Sequence, residues 1–142
     1  MSINAINAWI NSPFTVRMDP ALTDELCTMC NKLHHGYAVR GMIFDGTIEE
    51  AIEKYTPGTQ CQVGLSSYST DFGVAFKFAG GRMEAKANRT SIMILPNKLT
   101  KTLDITVQNP GEKEIISNDA LIVKSATKEW IGDRFVLVLR TY

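Results

Sequence analysis

The chain has 142 residues, of which 44% are hydrophobic and 21% are charged, and its 15 basic side chains balance its 15 acidic ones. This length suits a single domain and lets the chain bury a core without disulfides or a structural metal. The zero net charge excludes the strongly basic class of nucleic-acid-binding proteins, so we expect no direct contact with nucleic acid. The three cysteines are an odd number, which argues against a disulfide framework and fits a reducing compartment.

The charge is distributed unevenly along the chain. Residues 1–71 carry 4 basic and 8 acidic side chains, whereas residues 72–142 carry 11 and 7. The segment from Lys77 to Lys101 has six basic side chains and one acidic one, Glu84. This segment either faces an anionic ligand or is simply a solvated face.

Neither a membrane span nor an export signal is visible in the sequence. No apolar run approaches the roughly 20 residues that a membrane-spanning helix needs. The N-terminal residues lack the basic and apolar regions of a secretory signal. We therefore expect no membrane association and either a cytoplasmic location or export by a route that the sequence does not show.

The first half of the chain has the signals of helices. Asp19 and Pro20 predict a capped helix start, and apolar residues then recur at helical spacing as far as Leu33, before Gly36. Thr47, followed by two glutamates, predicts the start of a second helix that ends near residue 55.

The rest of the chain reads mainly as strands, with one further helix predicted over Asp71–Ala79. The strand candidates are Tyr37–Met42, Cys61–Ser69, Ser91–Leu95, Thr102–Val107, Glu112–Ser117, Leu121–Ser125 and Arg134–Arg140. Helices followed by strands predict an α+β domain with a mainly antiparallel sheet or a pair of sheets.

Two cysteines and a histidine have spacing that suggests a metal site. Cys27 and Cys30 form a C-x-x-C pair, and His34 follows on the same predicted helical face. A fourth ligand is missing and both cysteines lie within the apolar helix pattern, so we expect packing and no metal.

A pair of glutamates follows a turn-rich segment. In a strand, Glu112 and Glu114 would project to the same face. Like charges this close repel each other, and proteins accept that cost mostly where a positive charge is to be met. The alternative is a solvated strand face.

Two other segments contain residue types that suggest a binding site. Arg40 lies in an otherwise apolar strand, where an arginine is costly unless it meets an anion, and Gly41 allows a close backbone approach. The hydroxyl-rich run Ser66–Thr70 precedes the predicted helix at Asp71 and has the residues of a helix cap or a binding edge.

In this order, the three motifs resemble the arginine–serine–glutamate class of ADP-ribosyltransferases, to which cholera toxin belongs, and look most like its small phage-encoded members. The matching segments are Tyr37-Ala-Val-Arg40-Gly41, Tyr68-Ser69-Thr70 and Pro110-Gly-Glu112-Lys-Glu114-Ile-Ile116. The third position of the family's Ser-Thr-Ser segment is Asp71 here, which leaves that hydroxyl without a counterpart. The resemblance implies one catalytic domain over 1–142, with N-terminal helices packed on a mainly antiparallel, split β-sheet core.

The resemblance also implies an activity: transfer of ADP-ribose from NAD to an exposed arginine of a host protein, with release of nicotinamide. Glu114 would stabilise the oxocarbenium-like transition state and hydrogen-bond the nicotinamide ribose. Glu112 would orient or deprotonate the acceptor guanidinium, and a glutamate at this position points to arginine as the acceptor. Ser69 would hold Glu114 and the ribose in position.

The remaining implied roles concern NAD binding. Arg40 would contact an NAD phosphate or ribose, Gly41 would offer backbone groups to the nicotinamide amide, and Thr70 would brace the strand. Phe78 would stack on nicotinamide, and Arg82 would meet the pyrophosphate.

Two alternatives use the same fold: an NAD glycohydrolase with water as the acceptor, and a non-catalytic NAD-binding module. A glycosidase fits less well, because its two carboxylates usually come from separate strands.

Overall fold

In the computed structural model, which describes residues 2–142 with side chains from Asn4 onward, three short helices precede two sheets. The helices are α1 (Ser2–Asn11), α2 (Pro13–Arg17) and α3 (Pro20–Met29). Ser12 caps α2 by accepting a hydrogen bond from the Thr15 amide, and Asp19 caps α3 through the amides of Ala21 and Leu22. The predicted helix start at Asp19 is confirmed.

The end of α3 differs from the prediction, which extended the helix towards Gly36. The helix ends at Met29, and Lys32 exchanges two backbone hydrogen bonds with Thr102, of 3.2 and 2.9 Å. Sheet pairing thus outcompetes the apolar helix pattern beyond residue 30. Consequently His34 does not share a helical face with Cys27 of α3 or with Cys30, the C-cap residue of that helix.

Ten further elements follow in chain order. They are β1 (Arg40–Asp45), α4 (Ile48–Lys54), β2 (Gln60–Gln62), β3 (Ser66–Ser69), α5 (Phe72–Phe78), β4 (Arg89–Leu95), β5 (Thr102–Asp104), β6 (Glu114–Ser117), β7 (Leu121–Ile131) and β8 (Arg134–Thr141). Thr47 caps α4 through a capping box with Glu50, and Asp71 caps α5 through the amide of Val74, so both of these helix predictions are confirmed.

The strands form two sheets, as the split-sheet prediction required. One sheet has five strands in the order β1-β4-β8-β7-β2, and the other has three in the order β3-β6-β5. Among the strands described over residues 2–142, every pair is antiparallel except β4 with β8. The architecture is α+β and mainly antiparallel.

Strand alternation builds four layers. Ile115 of β6 points into the core between the two sheets, whereas its neighbour Ile116 points to the opposite face and packs against α1–α3. On the five-stranded sheet, Ile92 faces the inter-sheet core and Met93 faces α5. The three-stranded sheet is therefore enclosed on both sides, which is why all four residues of β6 are buried.

Several predicted strands are divided, shortened or shifted. The strand predicted over Tyr37–Met42 is β1 (Arg40–Asp45), and the one predicted over Thr102–Val107 is β5 (Thr102–Asp104). The segment Cys61–Ser69 forms β2 and β3 in different sheets, because Gly64, with a φ of +77°, turns the chain between them. The strand expected to start at Glu112 starts at Glu114 instead, since Lys113 has a left-handed φ of +48°.

None of the helices described over residues 2–142 combines the length and hydropathy of a membrane-spanning segment.

Candidate active site

A pair of backbone hydrogen bonds joins the two sheets next to the segments that contain Arg40 and Ser69. The Val39 amide donates to the Ser69 carbonyl at 2.9 Å, and the Ser69 amide donates to the Val39 carbonyl at 2.8 Å. This bridge places the start of β1 beside the end of β3. Arg40 and Ser69, which are 29 positions apart in sequence, therefore meet at one place in the fold.

A cleft of about 410 Å³ opens at this junction. It is walled by the start of β1, by β3, by α5 and by the N-terminal helices, and it contains most of the site residues predicted from the sequence. Its polar and aromatic lining side chains include Trp9, Arg17, Arg40, Ser67, Tyr68, Ser69, Phe78, Glu112 and Glu114.

Arg40 forms part of the cleft wall and is held by the main chain of β3. Its Nη1 donates to the Ser67 carbonyl at 3.1 Å. Burial lowers the pKa of the guanidinium, although its ordinary value is so high that the group stays charged. The site thus contains a desolvated cation whose remaining N–H groups suit an anionic ligand.

Gly41 allows the close backbone approach that its lack of a side chain suggested, and the partner is helix α5. A Cβ at this position would lie 1.7 Å from the carbonyl oxygen of Ala75 in α5. Helix α5 therefore approaches β1 at backbone contact distance, and this approach sets the width of the cleft.

The two glutamates converge, but not by the strand geometry predicted for them. Asn109 donates from Nδ2 to Glu112 Oε1 at 3.1 Å and to Glu114 Oε1 at 2.8 Å. The left-handed φ of Lys113 turns the chain between them, so Glu112 comes from a turn and Glu114 from the strand. Glu112 is half-buried, whereas Glu114 is 4% exposed.

The hydroxyl groups of Ser67 and Ser69 contact different parts of the segment that carries the two glutamates. The Ser69 hydroxyl donates to the Glu112 carbonyl at 2.8 Å, and Ser69 lies opposite Glu114 in the β3–β6 register. The direct side-chain contact to Glu114 comes from Ser67, whose Oγ lies 2.5 Å from Oε2. The Thr70 amide donates to the Lys113 carbonyl at 3.0 Å and so braces the turn between the glutamates.

Asp71, which stands where the related pattern has a third hydroxyl, has an evident structural role. Its carboxylate caps α5 and forms an ion pair of 3.3 Å with Lys113. The hydrogen bonds from Val74 and Lys113 lower the pKa of Asp71. This side chain links the base of α5 to the turn that carries Glu112.

Of the two residues expected to contact nicotinamide and the pyrophosphate, one lines the cleft and the other does not. Phe78, at the end of α5, lines the cleft and is half-exposed. Arg82 is exposed and is not among the residues that line the cleft. Arg17 of α2 does line it, with its guanidinium 4.9 Å above the Trp9 ring and Nη2 donating to the Leu65 carbonyl at 3.2 Å.

Four residues at the site were missed from the sequence: Trp9, Arg17, Ser67 and Asn109. Ser67 lies in the hydroxyl-rich run and Asn109 in the turn-rich segment before the glutamates, so both had a local signal. Trp9 and Arg17 lie far upstream, in helices whose sequence carries no mark of the site.

A second cleft of about 400 Å³ lies at the other end of β1 and β4. Four of its lining side chains are basic: Lys86, Arg89, Lys128 and Arg134. The buried Arg134 guanidinium is held by Asp133 at 2.9 Å and by the carbonyls of Gly80 and Met83. Part of the basic segment after Lys77 therefore lies around this second cleft.

In the part of the chain that the structure describes, no three His, Cys, Asp or Glu side chains come close enough to hold a metal ion. Cys30 is buried, and burial together with the neighbouring Cys27 and Asp119 raises the pKa of its thiol to about 12.

No protein-family model and no curated protein sequence matches this chain. Its backbone matches solved structures over nearly its whole length. The ADP-ribosyltransferase Vis of Vibrio splendidus, in complex with agmatine, has a TM-score of 0.56 at 15% identity, over 95% of this chain and 60% of that one. HopU1, an ADP-ribosyltransferase of Pseudomonas syringae pv. tomato DC3000, has a TM-score of 0.53 at 17% identity, over 89% and 52%.

A third similar structure is BECa, the ADP-ribosylating toxin of a binary enterotoxin of C. perfringens, with NADH. It has a TM-score of 0.61 at 9% identity, over 99% of this chain and 42% of BECa. The chain thus spans about 60% or less of the length of these three structures. At such identities the likeness establishes the fold alone, and the chain has the fold of the ADP-ribosyltransferases.

Proposed function

We propose that the chain is a mono-ADP-ribosyltransferase that moves ADP-ribose from NAD to an arginine side chain of a protein and releases nicotinamide. The observation that carries this proposal is the convergence of Glu112 and Glu114 on Asn109, at a cleft that Arg40 also lines. Two structures of the same fold hold related ligands: BECa is with NADH, and Vis is with agmatine, a small guanidine.

The cleft offers two guanidinium groups for the diphosphate of NAD. Arg40 and Arg17 both line it, and burial lowers the pKa of each while leaving it charged. Guanidinium groups bind phosphates through paired, charge-assisted hydrogen bonds. Because Arg82 is outside the lining, we assign the diphosphate to Arg40 and Arg17, with Phe78 stacking on nicotinamide and the Gly41 backbone meeting its amide.

The first chemical step breaks the bond between ribose C1′ and the nicotinamide nitrogen. The electron pair of that bond leaves with nicotinamide and neutralises its ring, and the ribose becomes an oxocarbenium-like cation. A carboxylate at this point stabilises the positive charge as it develops. Glu114 performs this task, and Ser69 supports it by fixing the strand register and the Glu112 carbonyl.

The second step forms a bond from C1′ to a guanidinium nitrogen of the acceptor. That nitrogen must lose one proton to carry the new bond, and Glu112 accepts it as a general base. The half-buried position of Glu112, beside the enclosed Glu114, suits contact with an incoming protein side chain.

We further propose that residues 1–142 form one catalytic domain that acts in the cytoplasm of a host cell. The support is the likeness of its three motifs to those of the small phage-encoded transferases, whose acceptors are host proteins.

Incubation of host lysate with tagged NAD tests the proposal. The wild type should label discrete protein bands, arginine-directed chemistry should identify the linkage, and Glu114→Gln should abolish the labelling. Glu112→Gln should lose protein labelling while still releasing nicotinamide, because the two glutamates serve different substrates.

Other outcomes identify the alternatives. Nicotinamide release by the wild type without any labelled protein would replace the transferase with an NAD glycohydrolase. Binding of NAD in calorimetry with no release of nicotinamide would indicate a binding module, and absence of both would overturn the proposal.

A further inference from the structure

The carboxylate of Glu114 is held by three hydrogen-bond donors from three separate parts of the chain. Trp9 Nε1 donates to Oε2 at 2.7 Å, the Ser67 hydroxyl to the same oxygen at 2.5 Å, and Asn109 Nδ2 to Oε1 at 2.8 Å. A carboxylate has about four acceptor positions. Oε2 has two partners and Oε1 has one, so the remaining acceptor position is on Oε1.

The donors that hold Glu114 are all neutral. Over residues 2–142, Glu114 forms no direct ion pair with a lysine, arginine or histidine, although its charge interacts through space with the Arg40 guanidinium. A carboxylate already paired with a cation would have part of its charge compensated before substrate binds. Neutral donors fix the orientation of the group, and because no cation is bonded to the carboxylate itself, it can still meet a developing cation.

Trp9 is the donor that comes from the most distant part of the chain. It is fully buried on α1, 105 positions before Glu114, and belongs to the core cluster shared with Ile116 of β6. Strand alternation puts Glu114 on the same face of β6 as Ile116, which is the face that α1 covers. The indole N–H also lies 3.2 Å from the Ser67 hydroxyl oxygen, but its shorter contact is to Glu114. An enclosed indole N–H needs an acceptor, so Trp9, Ser67 and Glu114 constrain one another.

We propose that Trp9 is a positioning residue for Glu114: its indole N–H holds the carboxylate in one orientation, with the unfilled position of Oε1 available to the nicotinamide ribose. This role rests on the proposed transferase function. It makes α1 part of the apparatus that positions the reacting group, in addition to its part in the core.

Kinetics of Trp9→Phe provide the first test. Phenylalanine keeps an aromatic ring in the core and removes the N–H, so Glu114 loses one of its three donors. We expect kcat for nicotinamide release to fall on the order of 10- to 100-fold, because a small misplacement of a reacting group causes a loss of this size. KM for NAD should stay unchanged. Trp130→Phe, a change at an exposed tryptophan outside the site, should retain wild-type kinetics.

A smaller folded fraction would also lower the apparent kcat without changing KM, so kcat is divided by the folded fraction that thermal unfolding gives at the assay temperature. A fall in kcat that persists after this correction indicates positioning. Wild-type kcat in a folded Trp9→Phe variant would overturn the proposal.

The second test needs no activity and no change to Trp9. In the Trp130→Phe background, the indole N–H resonance belongs to Trp9 alone, because the chain has two tryptophans. We expect this resonance to lie downfield and to move upfield in Glu114→Gln, since a charged acceptor makes the stronger hydrogen bond.

An indole resonance that Glu114→Gln does not move would overturn the positioning role, whatever the enzyme does with NAD. A moved resonance in a protein that neither cleaves NAD nor labels an acceptor would instead refute the proposed function and leave the contact intact.

Discussion

Two clefts of nearly equal volume, about 410 and 400 Å³, lie at opposite ends of β1 and have different chemistry. The first collects two carboxylates, two arginines and aromatic side chains from both sheets and from the N-terminal helices. The second is mainly basic, and its buried Arg134 is bonded to Asp133 and to main-chain carbonyls. Cleft volume therefore does not distinguish a reaction site from another cleft. What distinguishes it is the convergence of charged and polar side chains that can still form hydrogen bonds with a ligand.

The sharpest test of this contrast is a matched pair of glutamates, one from each cleft. Glu114→Gln should lower nicotinamide release about 10³-fold, because the charge that stabilises the transition state is lost. Glu49→Gln, in the second cleft, should retain wild-type activity in the same assay. Equal rates for the two variants would remove the functional distinction between the clefts.

The wall of the first cleft depends on the backbone contact at Gly41. Gly41→Ala should reduce the free energy of unfolding by about 3 kcal/mol, because the added methyl overlaps the Ala75 carbonyl. Gly111→Ala is the matched control, since nothing lies within 4 Å of a Cβ there and its φ is not positive. Urea unfolding measures both; a Gly41→Ala variant as stable as Gly111→Ala would contradict the close packing.

The arginines of the two clefts should differ in their effect on NAD. Arg17→Ala should raise KM for NAD about tenfold, the loss expected for one charge-assisted phosphate contact. Arg89→Ala, which removes a cation from the second cleft, should leave KM unchanged. A raised KM in Arg82→Ala, with none in Arg17→Ala, would assign the diphosphate to Arg82.

The smallest expected effect concerns the aspartates near each cleft. Hydrogen bonds lower the pKa of Asp71, from Val74 and Lys113, and the pKa of Asp133, from Arg134. A depressed folded-state pKa means that each contribution to stability is complete above the unfolded pKa, about 3.9, and is lost as the pH falls through the folded value.

Thermal unfolding should therefore show a small loss of stability below about pH 4, and Asp71→Asn and Asp133→Asn should each reduce that pH dependence. Because both carboxylates are largely solvated, a large effect from either variant would show that its ion pair is stronger than the structure indicates.

The sequence signals were reliable where the cause was local. Asp19 and Thr47 cap helices as predicted, and the third predicted helix starts after Asp71, because a capping side chain bonds amides two or three residues away. Signals failed where a distant partner decided the outcome. The apolar pattern after Met29 favoured helix, but pairing of Lys32 with Thr102 prevailed.

The candidate site shows the same division. Arg40, Ser69, Glu112 and Glu114 could be singled out because their motifs are short. Their convergence depends on the left-handed turn at Lys113 and on the bridge between Val39 and Ser69, neither of which has a sequence pattern.

The sequence by itself determined the α+β class, the main helix starts and the motifs that resemble a transferase, since these depend on side-chain spacing and local hydrogen bonds. Only the tertiary structure decided that Trp9 bonds Glu114 and that Arg17 lines the cleft. It also showed that part of the uneven charge visible in the sequence lies around a second cleft. These outcomes depend on contacts across many tens of residues, which packing of the whole chain creates and no local pattern encodes.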